Sequence, residues 1–264
     1  MQDFRAVHPA DAAVIDELAA GICGIFGETL LGIYLYGSAV FGNFDSGISD
    51  LDLTAILQHP VTPSELDRLG DMHARIVQVH PAWNDRIEVQ YIDRDALQTF
   101  RTQRNQMANI SPGEPLHIIE TSIEWLMNWY LITHHGATIA GPDPRTLIPE
   151  ISEEEFIESA RDHAREWQDR VGDIQGTRSQ SYAILTMSRA LYTHRTGKHV
   201  SKIDAARWIA ANFPEKREAI ERAIAWRIAP SFPSPGTIHE ARDFVREVTA
   251  IIDRESAPTM HHPV

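Results

Sequence analysis

The hydrophobic pattern changes character near residue 150. Before that point, stretches of helical period alternate with short apolar runs rich in β-formers; after it, the patterns are helical throughout. This division predicts an α/β N-terminal domain with a mixed sheet, residues 1–150, followed by an all-α helical bundle, residues 151–264. A cleft between the two is the expected ligand site. In the first part, residues 9–30 place Ile15, Leu18, Ile22 and Ile25/Phe26 at helical spacing, with Asp11 available as a cap. Residues 31–36 and 51–57 read as strands. Thr62 can cap a helix reaching Val79, with Pro63 at its first position and Glu65 three residues on. Residues 86–92 alternate polar and apolar, which predicts a half-exposed strand; 116–120 predicts another, and 122–135 a helix stopped by Gly136. In the second part, Ser152 followed by three glutamates opens a helix running to about residue 171. Further helices are expected over 179–195, 201–212, 214–228 and 236–254, with a Pro-rich break at 230–235 and a loose tail.

The residues that carry chemistry sit in the first part. Gly37-Ser38 follows one predicted strand and Asp50-Leu-Asp52 enters the next. Side chains at i and i+2 of a strand share a face, so Asp50 and Asp52 project together, with Leu51 and Leu53 anchoring the opposite face. Two adjacent carboxylates repel unless a cation lies between them, and Mg²⁺ is typically held by one or two carboxylates plus substrate phosphates. The Gly37-Ser38 turn offers backbone N–H groups and a hydroxyl to a phosphate, and glycine permits a close approach. An isolated D-x-D is common and an isolated Gly-Ser is merely a turn; the short connection between them, holding Gly42 and Gly47, is what ties them into one site. Glu88 adds a third acid. In residues 86–90, Ile87 and Val89 face one side and Arg86, Glu88 and Gln90 the other. Read alone, Glu88 fits either a solvated strand position or, if its strand lies beside Asp50 and Asp52, a metal ligand or proton acceptor.

Composition narrows the classes of function. The net charge of −13 over 264 residues argues against non-specific binding to nucleic acid or anionic lipid, which needs surplus cations. It suits a cationic substrate or a carboxylate-held metal. The single Cys23 excludes an internal disulfide and a multi-cysteine zinc site. No run approaches the roughly 18 apolar residues of a membrane span. The N-terminal stretch carries acids and lacks a continuous apolar core, unlike a signal peptide, so the expected location is the cytoplasm. Trp125 and Trp129, at i and i+4, read as core; His134 and His135 point about 100° apart on a helix and do not form a joint site.

With these residues in hand, the chain resembles the nucleotidyltransferase superfamily of the DNA polymerase β type, and within it the aminoglycoside adenylyltransferases that act on streptomycin and spectinomycin. Three stretches carry the resemblance: residues 34–40 (YLYGSAV) with 49–53 (SDLDL); 87–89 (IEV); and, in the helical part, 184–192 (ILTMSRALY), Thr196-Gly-Lys198 and 200–206 (VSKIDAA). It spans roughly residues 10 to 225. The resemblance implies that Gly37 and Ser38 hold ATP phosphates, that Asp50 and Asp52 carry Mg²⁺, two ions in all, and that Glu88 is the base that deprotonates the accepting hydroxyl. It implies that Lys202 reaches the triphosphate, that Tyr182 stands where the family has a nucleotide-contacting histidine, and that Trp167 and Asp173 meet the drug. Each has a plainer reading. Lys202 fits a solvated helix-start lysine, and Trp167 shares a helical face with Phe156, Ala160 and His163/Ala164 and fits a core position. The chain departs from the family in residues 104–113, where an aromatic residue is expected and none stands.

The implied reaction is Mg²⁺-dependent transfer of AMP from ATP to a hydroxyl of a cationic aminocyclitol antibiotic, releasing pyrophosphate. The expected partners are ATP and that small cationic molecule, without membrane or nucleic acid, with the chain acting as a monomer. Two rivals stand beside it: adenylylation of a protein or tRNA acceptor, and a non-catalytic nucleotide-binding protein.

Overall fold

A mixed six-stranded sheet forms the frame of the first part of the chain, in the order β5-β4-β3-β2-β1-β6. The structure is a computed structural model that describes residues 9–42, 44–229 and 235–256. The chain divides after Ile151 into two units.

In the first unit, helix α1 (Pro9–Phe26) leads into β1 (Leu30–Tyr36); β2 (Leu51–Leu57) and helix α2 (Pro63–Val79) follow. Then come β3 (Ile87–Asp93), the short α3 (Arg94–Thr99), β4 (Asn105–Ser111), β5 (Glu114–Thr121), α4 (Leu126–His135) and β6 (Ala137–Ala140). β2 and β3 run parallel, while the other neighbouring pairs are antiparallel. The parallel pair is joined through α2, as a crossover requires.

Residue parity sorts the two faces of this sheet. Ile33 and Leu35, Leu51 and Leu53, and Val89 and Tyr91 pack with Leu18 and Ile22 of α1 and Met72 and Ile76 of α2. Tyr34, Tyr36, Ile56 and Ile92 pack with Leu97 of α3 and Leu126, Trp129 and Ile132 of α4. Trp129 is fully buried, edge-on to Phe100 at 4.8 Å between ring centroids. Burying one such side chain contributes on the order of 2–3 kcal/mol. Because both faces are covered, β3 is not the half-exposed strand its alternation predicts: Glu88 is its one partly exposed residue, and Gln90 is buried.

The second unit is helical: α5 (Glu153–Asp169), α6 (Thr177–Thr196), α7 (Lys202–Asn212), α8 (Arg217–Ile228) and α9 (Pro235–Ser256). α6 packs against the other four. Two of its buried hydroxyls donate to carbonyls, Ser181 Oγ to Ala223 O at 2.6 Å and Ser188 Oγ to Ile184 O at 2.7 Å. Gly197 ends it in the left-handed conformation, φ +70°.

Several local expectations are met where side-chain chemistry is self-contained. Thr62 and Glu65 form a capping box at α2, and Ser152 and Glu155 form a second at α5. Others are corrected. Asp11 lies inside the first turn of α1 and is not its cap. The helix expected from residue 122 begins as a 3₁₀ turn, Ile123–Trp125. β4, α3 and β6 are additions; residues 104–113, read only as an acceptor-side stretch, are largely β4. The Pro-rich break (except Pro235, where α9 starts) and residues 257–264 of the tail lie outside the described residues.

Candidate active site

β1 delivers the phosphate-turn candidates. It ends at buried Tyr36, and Gly37 then takes φ +66° to open a 3₁₀ turn, Gly37–Ala39. Positive φ favours glycine sterically, and here a side chain would also collide with the Asp52 carboxylate. Gly37 and Ser38 are both partly exposed. Gly42 and Gly47, in the connection to β2, also hold positive φ.

β2 and β3 deliver the acids. Asp52 is paired in register with Tyr36 on one side and Glu88 on the other. Leu51 and Leu53 are fully buried, while Asp50 and Asp52 are partly exposed, so the alternation that anchors one face and frees the other holds. Asp50 precedes β2 and lies within charge range of Arg86, whose guanidinium also donates to Ser49 O at 3.1 Å. The strand carrying Glu88 therefore does lie beside the strand carrying Asp52.

A buried phenol underlies these acids. The Tyr36 hydroxyl donates to Glu88 Oε1 at 3.3 Å and accepts from Gln90 Nε2 at 2.7 Å and Asn128 Nδ2 at 3.3 Å. Gln90 Oε1 in turn accepts from Thr54 Oγ1 at 3.2 Å. Burial, then the charges of Glu88 and Asp52, push the Tyr36 hydroxyl well above its ordinary pKa, so it stays protonated. Tyr36, Gln90 and Asn128 were not singled out by sequence. Their one local signal is parity: residue 36 is the last of an apolar strand, directly before the glycine, and residue 90 lies on the Glu88 face.

Among the described residues, no group of three or more His, Cys, Asp or Glu side chains could hold a metal ion. Asp50 and Asp52 still suit Mg²⁺, which takes one or two carboxylates and completes its octahedron with phosphate oxygens and water. The Gly37 backbone, left without a β-carbon beside Asp52, is the cradle such phosphates need.

In the helical unit, four of the sequence candidates come together. Trp167 and Tyr182 rings lie 5.9 Å apart, and the Lys202 ammonium sits 3.8 Å from the Tyr182 ring centroid. Trp167, Asp173 and Tyr182 line one cavity of about 390 Å³, together with Arg170, Ile174, Arg178 and Ser179. Trp167 belongs to the core, 7% exposed, as its plainer reading has it, and it also forms a wall of the cavity. Tyr182 is 53% exposed, an unusual state for a large aromatic side chain. Trp167 Nε1 donates to His163 Nε2 at 3.2 Å. Burial, helped by the charges of Arg189, Lys202 and Arg170, lowers the His163 pKa to about 4, which keeps that nitrogen an acceptor at neutral pH. Arg170, Arg178 and Arg189 are cations that sequence inspection passed over.

The second unit has known counterparts. Residues 146–250 match the family described as aminoglycoside adenylyltransferase, C-terminal domain. An aminoglycoside (3'')(9) adenylyltransferase of Shigella flexneri is 27% identical over 236 residues, 79% of this chain and 84% of that protein. One from Klebsiella pneumoniae is 28% identical over 213 residues, 73% of this chain and 75% of that protein. Over most of its length the chain is similar to the aminoglycoside adenylyltransferases. It is thereby a nucleotidyltransferase by class, and the fold agrees. The solved spectinomycin adenyltransferase AAD(9) of Enterococcus faecialis, with ATP and spectinomycin, superposes with a TM-score of 0.73 at 18% identity, covering 90% of this chain and 99% of that one. The matched residues 146–250 contain Trp167, Asp173, Tyr182 and Lys202. No helix among the described residues is long and apolar enough to cross a membrane.

Proposed function

We propose that this protein transfers AMP from ATP to a hydroxyl of an aminocyclitol antibiotic of the streptomycin or spectinomycin type, with release of pyrophosphate. The observation that carries this reading is the register of Asp52 against Glu88 on a parallel strand pair beside the Gly37 turn. The relatives named as adenylyltransferases of aminoglycosides support the acceptor class.

Gly37 and Ser38 bind phosphate oxygens through the turn. Asp50 and Asp52 would hold Mg²⁺, expected as two ions, which would offset the negative charge of the transferring phosphoryl group. Lys202 contacts the triphosphate and Tyr182 the nucleotide. Trp167 offers an aromatic wall and Asp173 a carboxylate to a cationic acceptor. Glu88 takes the proton from the acceptor hydroxyl; that oxygen forms its bond to the α-phosphorus as the bond to pyrophosphate breaks, with the attacking and leaving oxygens in line. The acidic balance of the chain favours approach of a cationic acceptor. The cytoplasm is the proposed place of action and the monomer the proposed form.

Incubation with ATP, Mg²⁺ and either streptomycin or spectinomycin, followed by mass spectrometry, tests the reading. A gain of one AMP on either drug is the expected result. No adduct on either, with ATP binding intact, would overturn the acceptor assignment.

A further inference from the structure

The Tyr36 hydroxyl meets three polar side chains, those of Glu88, Gln90 and Asn128. Thr54 donates to Gln90 Oε1, and Gln90 Nε2 faces the phenol at 2.7 Å. Asn128 Nδ2 approaches from α4 at 3.3 Å. An amide nitrogen only donates, so both approaches occupy the acceptor side of the phenol oxygen. Its one proton is left for Glu88 Oε1. The order Thr54 to Gln90 to Tyr36 to Glu88 is thus a directed chain, rooted in the sheet interior, where Thr54 and Gln90 are fully buried and Tyr36 nearly so. It ends on a glutamate that is itself partly exposed.

A glutamate has three rotatable side-chain bonds, and an exposed one samples several rotamers. A base, in contrast, works only from hydrogen-bond distance of the proton it removes, and an ångström of misplacement costs rate steeply. We propose that Tyr36 is a positioning residue for the base: its hydroxyl, with Gln90 and Asn128 on its acceptor side, donates to Glu88 Oε1 and fixes where that carboxylate stands. This rests on the reading of Glu88 as the base. The hydroxyl takes no part in the chemistry; it narrows where the carboxylate stands.

The test is a double-substitution cycle on the full chain, read as single-turnover rate at saturating Mg-ATP and acceptor, with nucleotide affinity by calorimetry and thermal unfolding alongside. Glu88→Gln should slow turnover by roughly two to four orders of magnitude, the usual worth of a general base. Tyr36→Phe keeps the ring in its core position and removes the hydroxyl. It should slow turnover about tenfold, the scale seen when a supporting hydrogen bond behind a working group is lost, with nucleotide affinity unchanged. In the Glu88→Gln background the same Tyr36→Phe change should alter the rate less than about twofold, because the base it serves is gone. A merely structural role predicts an equal factor in both backgrounds, and that result would overturn the positioning role while leaving Glu88 as the base. An unaffected Glu88→Gln enzyme would instead overturn the base assignment, and the positioning role with it. Should Tyr36→Phe fail to fold, Asn128→Leu on the partly exposed α4 removes one of the two donating amides and reads the same coupling.

Discussion

A β-carbon placed on Gly37 would lie 1.9 Å from Asp52 Oδ2, closer than two non-bonded heavy atoms come. The turn proposed to hold phosphate and the carboxylate proposed to hold metal are therefore built against each other.

Gly37→Ala should for that reason act on the site before it acts on the fold. The methyl group must displace the Asp52 carboxylate or rotate φ away from +66°. The expected result is loss of most turnover together with a stability cost of about 1–3 kcal/mol from the strained residue. Urea unfolding and a steady-state assay check the two parts, and a wild-type rate from Gly37→Ala would contradict the arrangement.

Removal of the metal should be equivalent to removal of its ligands. Chelation by EDTA, Asp50→Asn and Asp52→Asn should each abolish AMP transfer with little change in the far-ultraviolet circular dichroism. Calorimetry on Asp52→Asn should show weakened Mg-ATP binding. Tight binding combined with undiminished turnover would refute the assignment.

Lys202→Ala should weaken ATP binding about 10- to 100-fold, the value of a charge-assisted hydrogen bond of roughly 1.5–3 kcal/mol. Tyr182→Leu removes the ring on which the ammonium rests, 3.8 Å from its centroid, and should give a smaller loss. Nucleotide titration of the two variants decides between a functional lysine and a solvated one, since the latter predicts no change in either.

Acid should destabilise the first unit through His73. Burial lowers its pKa to about 4, and it is 4% exposed. Its Nε2 meets the Tyr91 hydroxyl at 2.7 Å, while Nδ1 has no partner. The folded state holds this ring neutral, while the unfolded chain protonates it near pH 6.5. Stability from this group is therefore whole above about pH 6.5 and is lost as the pH falls from there to about 4, a total on the order of 3 kcal/mol. Denaturant midpoints at pH 7 and pH 5 in wild type and His73→Gln test it. The variant should show a shallower fall, and histidine NMR titration should place His73 far below the exposed histidines.

How far the sequence disclosed all this depended on where each residue found its partners. The Thr62–Glu65 and Ser152–Glu155 boxes, Leu51–Leu57 as a strand, and the strand-end position of Asp52 rest on neighbours a few residues away, and they stand in the structure as read. Glu88 beside Asp52 needed one further step, that β3 adopts β2 as its neighbour. β4 was not read as a strand because Asn105-Gln-Met-Ala-Asn carries little β signal; it extends because β3 and β5 supply its hydrogen bonds on both sides. Gln90 looked solvent-facing for the same reason. Its amide is satisfied by Thr54 and Tyr36, 36 and 54 residues away, and no local period records such partners. The joining of Trp167, Tyr182 and Lys202 was legible only through family likeness, since a loop and a helix separate them in the chain.

The parallel register of β2 and β3 also limits how this site can change over generations. Asp52 and Glu88 are opposite each other on strands packed on both faces. Sliding either carboxylate by one residue would turn it into the apolar layer over α1 and α2 and bring a leucine, isoleucine or valine to the acidic face. Only moves of two residues keep the face, and each shifts the carboxylate by about 6.6 Å along the strand. The spacing between the two acids is thus stepped, not adjustable. On the proposed function, a change of acceptor would leave the acids where they stand and fall on the helical unit's cavity, around Trp167, Arg170, Asp173 and Arg178.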